Sequence, residues 1–152
     1  MDPTTRPIFR ELSRAEAEEI LARHHVGRIA YAFRNRVDIE PINYVYHGGW
    51  IYARTAPGSK ITVLAHSPWV AFEVDEVEGV FNWRSVVLHT TVYEMSPGGT
   101  PAQEQVYSQA VELLRGIVPE TFTSDDPTPE RSVVIRMYVD EATGREASTS
   151  GH

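Results

Sequence analysis

Arg28-Ile29-Ala30-Tyr31-Ala32-Phe33, the turn Arg34-Asn35-Arg36, residues 37–46, His47-Gly48-Gly49 and residues 50–54 form the stretch on which the fold depends. Aromatic and β-branched side chains dominate each run, and short polar or glycine breaks separate them, so the spacing predicts three strands in a hairpin meander. Pro41 falls inside the second run. Proline cannot donate to a strand ladder, so this strand must lie at an edge or carry a bulge, leaving main-chain groups free for another partner.

Upstream, Ser13 can cap a helix and Glu16, three residues later, can complete a capping box. That helix should present Ala17, Ile20, Leu21 and His24 as one stripe and end at Val26-Gly27. Downstream, Gly58-Ser59 opens a short helix with apolar residues at 61, 64 and 65, and strands are predicted over 69–76, 83–95 and 132–139. Ser96-Pro97-Gly98-Gly99-Thr100-Pro101 interrupts the chain before a helix over 101–114, whose Val106, Ala110, Val111 and Leu114 share a face. Asp125-Asp126-Pro127-Thr128-Pro129 reads as a surface loop, and 147–152 as a disordered tail after one domain spanning 1–146. About six strands joined mostly by hairpins, with flanking helices, give a mainly β (α+β) architecture: a small antiparallel barrel rather than a βαβ sheet.

Composition narrows the function. With 152 residues and 41% apolar content the chain can bury one core. It contains no cysteine, which excludes disulfides and thiolate chemistry. A net charge of −7 repels polyanions, so nucleic acid is not an expected partner. No run approaches the ~18 apolar residues of a membrane span and no leader pattern shows, so a cytoplasmic protein with no membrane partner is expected. The six histidines lack the spacing of a metal site, and no G-x-S-x-G nucleophile turn occurs.

Three segments could carry chemistry. Tyr52-Ala53-Arg54-Thr55-Ala56-Pro57-Gly58-Ser59-Lys60 places a guanidinium, two hydroxyls and an ammonium where a strand turns into a helix start. Backbone N–H groups and the helix dipole favour an oxyanion there, so Arg54, Thr55, Ser59 and Lys60 together suit a phosphate monoester. The alternative is a helix start with two solvated cations. Glu40-Pro41-Ile42-Asn43-Tyr44 could offer in-plane hydrogen bonds to a flat heteroaromatic ring, or Asn43 could simply face water. In Asn82-Trp83-Arg84-Ser85, Trp83 could stack on a ring or fill the core, while Arg84 and Ser85 must point to opposite faces.

In this order, G-R-I-A-Y, E-P-I-N-Y-V-Y, G-G-W-I-Y-A-R-T-A-P-G-S-K, V-A-F-E-V-D-E and N-W-R-S-V-V make the chain resemble the pyridoxamine 5′-phosphate oxidase-like superfamily. The likeness is to its nitroimidazole-reductase-like branch of flavin-binding proteins. It covers roughly residues 12–95 and, more loosely, the last strand with Ala142-Thr143-Gly144-Arg145. The resemblance implies a six-stranded split β-barrel that forms a homodimer and holds FMN at the subunit interface. Arg54, Thr55, Ser59 and Lys60 would hold the phosphate, with Ala56 also among the cofactor-binding residues; Pro41, Ile42, Asn43 and Tyr44 would line the isoalloxazine; Trp83, Arg84 and Ser85 would complete the wall. A flavin-dependent oxidoreductase follows as the expected function, with a reduced flavin passing electrons from a donor to a small oxidised substrate. Three alternatives stand beside it: a deazaflavin-dependent reductase, a flavin-storage or sensing module without turnover, and a haem-binding module using His47 or His89. Two departures are visible. The C-terminal tryptophan and arginine pattern of pyridoxamine 5′-phosphate oxidases is absent, the last strand having only Arg136 and Arg145, and Arg54 stands where some nitroimidazole-reductase relatives have histidine.

Overall fold

The structure, a computed structural model, describes residues 6–149. In chain order the elements are β1 (Ile8–Leu12), α1 (Arg14–Arg23), β2 (Val26–Phe33), β3 (Arg36–His47), β4 (Trp50–Thr55), α2 (Ser59–His66), β5 (Trp69–Gly79), β6 (Asn82–Met95), α3 (Pro101–Arg115), β7 (Val133–Tyr138) and β8 (Ala142–Ser148). The strands follow the order β1-β8-β6-β5-β2-β3-β4-β7, and a further β6–β7 pairing closes the sheet on itself. Closure is possible because β6 is 14 residues long: its first part pairs with β5 and β8, and its end, from Val92 to Met95, pairs with β7. Every ladder is antiparallel.

The expected fold class holds, with two strands more than the sequence reading foresaw. β1 was not anticipated, and β8 occupies part of the expected tail. Ala147 is 2% exposed and lies between Phe9 of β1 and Trp83 of β6, while Thr149 bonds to Asn82. Ala-Thr-Gly-Arg-Glu-Ala-Ser has little strand preference of its own; ladders on both sides hold it. Residues 150–152 of the expected tail lie outside the described residues.

The local signals act as their chemistry dictates. The Ser13 hydroxyl accepts from the Glu16 amide at 3.1 Å, and the Glu16 carboxylate accepts from the Ser13 amide at 2.9 Å, closing the capping box of α1. The helix buries Ala17, Ile20 and Leu21 but ends at Arg23, so Val26 and Gly27 belong to β2 instead. Gly27 is needed for close approach: a Cβ there would lie 2.4 Å from the Phe72 ring. The β2–β3 hairpin turns through Arg34 and Asn35, at φ 50° and 64°, the left-handed pair whose twist matches flanking strands.

The barrel interior is filled by Tyr44, Phe72, Ile29, Leu88 and Met137 among others, with Tyr44 and Phe72 in an edge-to-face contact at 5.1 Å. Outside the barrel, α3 buries Ala110 and Leu114 with Tyr52 and Val134. On the outer surface, Ile39, Ala30 and Ala71 lie in register across three strands, and Val37, Ile39 and Trp69 remain 72%, 66% and 62% exposed. No helix among the described residues is long and apolar enough to cross a membrane.

Candidate functional site

The barrel splits beside β3. This strand pairs with β2 from Arg36 to Asn43, but β4 joins it only from Tyr44 to His47. Pro41 therefore sits on a strand with one neighbour, as its missing donor requires. Past Thr55 the chain leaves β4, and α2 starts at Ser59 behind its N-cap Gly58, whose φ of 147° only glycine adopts readily and which offers the helix no side-chain bond. The free stretch of β3 and the start of α2 meet through the Lys60–Glu40 contact, and the space beside this contact is called the notch below.

Lys60 stands in this notch with its side chain 17% exposed and donates to the Glu40 carboxylate. The Tyr31 hydroxyl donates to the second Glu40 oxygen at 3.3 Å. Burial lowers the Lys60 pKa, and the charge of Arg131 adds to the effect. Asn43, exposed on the same strand as Glu40, accepts from the Arg131 guanidinium at 3.0 Å and donates to the His25 carbonyl at 3.3 Å. Lys60 thus pairs with Glu40, and Arg131 with Asn43 three residues further along β3; these two pairs, linked by the charge of Arg131 acting on Lys60, are the candidate site.

Other expected members are placed differently. Arg54 does not face the notch: its terminal nitrogens donate to both Asp126 oxygens at 2.7 Å, to the Thr128 hydroxyl at 2.9 Å and to the Arg131 carbonyl at 3.3 Å. A guanidinium buried against a carboxylate that is itself 2% exposed cannot also fork around a ligand phosphate. The same contact corrects the reading of residues 125–129 as a surface loop, since Asp126 is drawn inward. Thr55 is buried in the β4–β7 ladder opposite Val133, and Ala56 is half-buried at the turn. Ser59 opens α2, but its side chain lies outside what the structure describes.

Ile42 and Tyr44 point into the core, 5% and 0% exposed. The Tyr44 hydroxyl donates to the Leu21 carbonyl at 2.7 Å, its amide to the His25 carbonyl at 3.0 Å, and burial pushes its phenol pKa well up. Tyr44→Phe is therefore expected to cost about 1–2 kcal/mol of stability, because it leaves the Leu21 carbonyl unpaired in the core. Urea unfolding measures this; an undiminished midpoint would show the bond to be unimportant.

Trp83, Arg84 and Ser85 are not in the notch of the same chain. They open β6, which is three strand spacings from β3, roughly 14 Å at ~4.8 Å per strand. The Trp83 ring lies 6.4 Å from that of Phe9, the Arg84 Nε donates to Glu146 at 2.6 Å, and the Ser85 hydroxyl donates to Glu73 at 3.0 Å. Trp83 and Arg84 line a groove of about 530 Å³ with Arg10, Arg23, Glu76 and Glu146. Sequence reasoning gave Asp126 no role beyond a surface loop and did not single out Arg131: no periodicity marks a residue whose partner lies 72 or 88 positions away.

A family model described as pyridoxamine 5′-phosphate oxidase matches residues 13–146. An uncharacterized protein of Rhizobium meliloti (strain 1021) is 30% identical over 81 residues, covering 53% of this chain; the chain spans about half the length, 54%, of this curated relative. Among solved structures, a FAD-binding protein from Mesorhizobium loti superposes with a TM-score of 0.73 at 26% identity, covering 94% of this chain and 99% of that chain. A FAD-binding protein from Mycobacterium smegmatis gives 0.63 at 26% identity, over 90% and 98%.

Proposed function

The chain belongs to the pyridoxamine 5′-phosphate oxidase family, and from that premise we propose that it binds FMN through the notch between β3 and α2 and serves as a cytoplasmic flavin-dependent oxidoreductase. The observation that carries this reading is Lys60: a half-buried ammonium beside a helix start that no side chain caps, facing a strand with one open edge. The donor set fits the ligand. Lys60, the first amides of α2 and Arg131 supply positive charge for a phosphate, while Asn43 and the free main chain near Pro41 can meet the edge of a flat ring. FMN, when bound, supplies two-electron redox chemistry, passing electrons from a donor to a small oxidised substrate; the protein's residues hold and orient it. Both FAD-binding relatives favour a flavin of some kind.

The working unit in this reading is a homodimer. One chain carries the cationic notch and the Trp83 group on separate parts of its surface, so a second copy is what would bring Trp83, Arg84 and Ser85 against a cofactor held at Lys60. The exposed Val37, Ile39 and Trp69 give two copies an apolar surface to bury.

The purified protein is expected to be yellow, to release FMN on denaturation as identified by mass spectrometry, and to scatter light as a dimer. Released FAD would replace the mononucleotide by the dinucleotide. A colourless protein that takes up neither flavin would overturn the reading.

A further inference from the structure

We propose that Arg131 gives the notch its net positive charge and is the residue that holds the anionic end of the ligand; the assignment deepens the flavin reading and rests on it for the ligand's identity. The argument is one of charge matching. Lys60 is matched by Glu40, and Arg54 by Asp126. A phosphate approaching Lys60 alone therefore meets a neutral pair, one member of which repels it. Arg131 differs from both: among the described residues no carboxylate lies within ion-pair distance of it, and its acceptor is the neutral Asn43 oxygen at 3.0 Å. A guanidinium carries five N–H donors, so a single bond to Asn43 leaves most of the fork available.

The backbone that carries Arg131 is held with unusual firmness for a loop. Its amide donates to the Thr128 carbonyl at 3.0 Å, and its carbonyl accepts from Arg54. Thr128 in turn donates its amide to Asp126 at 2.9 Å and accepts from Arg54 through its hydroxyl. The buried Arg54–Asp126 pair thus fastens residues 126–131 to β4, and the Asn43 contact sets the Arg131 side chain over β3. A preset guanidinium loses less freedom on meeting an anion than a lysine on a mobile loop would. The lowered pKa of Lys60, partly due to Arg131, agrees with two cations sharing one small field.

Two measurements on the intact protein decide the matter. In the first, inorganic phosphate is titrated while the melting temperature is followed. Wild type is expected to be stabilised, Arg131→Gln to need about tenfold or more phosphate for the same shift, and Arg131→Lys to recover part of it. Equal responses of wild type and Arg131→Gln, or no response from either, would overturn the assignment. In the second, FMN and riboflavin, which differ by the phosphate, are titrated against both proteins. Arg131→Gln is expected to weaken FMN roughly tenfold to a hundredfold and leave riboflavin unchanged. Equal losses of the two would mean that Arg131 is structural. If wild type binds neither flavin, the flavin reading falls, and the phosphate titration still decides Arg131 by itself.

Discussion

Lys60→Ala is expected to weaken FMN binding by about a hundredfold or more, because it removes a charge-assisted contact and exposes a repulsive one. The contact alone accounts for roughly 1.5–3 kcal/mol. The remainder comes from Glu40, which keeps its bond from Tyr31 but loses its cation and then faces the ligand phosphate uncompensated. The double variant Lys60→Ala with Glu40→Gln should accordingly bind more tightly than Lys60→Ala alone. Fluorescence quenching of added FMN measures all three proteins; a single variant that binds like wild type would remove Lys60 from the site. The lowered pKa of Lys60 adds a pH signature. Burial disfavours its charged form, so it gives up its proton at a lower pH than an ordinary lysine does. FMN affinity should be full below that point and fall as pH rises through it.

Arg54→Ala is expected to lower the melting temperature by roughly 10 °C at neutral pH. Its partner Asp126 is buried, and three groups converge on that carboxylate: the guanidinium, the Phe122 amide at 2.9 Å and the Thr128 amide at 2.9 Å. Phe122 has a φ of 59°, an unfavourable conformation for an aromatic residue, and its ring lies under the Arg54 guanidinium at 5.2 Å. Without Arg54 a charge stays buried and the strained turn loses its cover. The pH dependence has a definite sign. Arg54 holds the Asp126 carboxyl well below the usual carboxylate range, so wild type keeps this contribution above the unfolded pKa of about 3.9 and loses it as pH falls towards the depressed native value. In the variant the orphaned carboxylate is a liability that protonation relieves. The gap in melting temperature should therefore be widest near neutrality and narrow in acid; a gap independent of pH would show that the lost packing, not the charge, matters.

Much of the fold was legible because it rests on local chemistry. Ser13 and Glu16 are three residues apart and cap α1 without outside help, and Pro41 announces a strand with a vacant side wherever it is placed. β1 and β8 were hidden for the opposite reason: the ladder between them joins residues as far apart as Ile8 and Ser148, β8 pairs on its other side with the distant β6, and Ala142–Ser148 is extended because its neighbours are. The site divides the same way. Asn43 and Lys60 stand where a strand edge and a helix start predict polar groups. Arg54 was misread because an arginine beside a helix start looks alike whether it faces a ligand or a distant aspartate. Only the return of the chain between α3 and β7 reveals that Asp126 claims it and that Arg131 bonds to Asn43 on β3.

The β1–β8 ladder also couples two distant strand ends. Ile8 lies opposite Ser148, and Phe9 rests near Trp83. The first residue of β1 and the last of β8 are therefore clasped side by side, so fraying at one strand end would loosen the other and uncover the corner around Trp83.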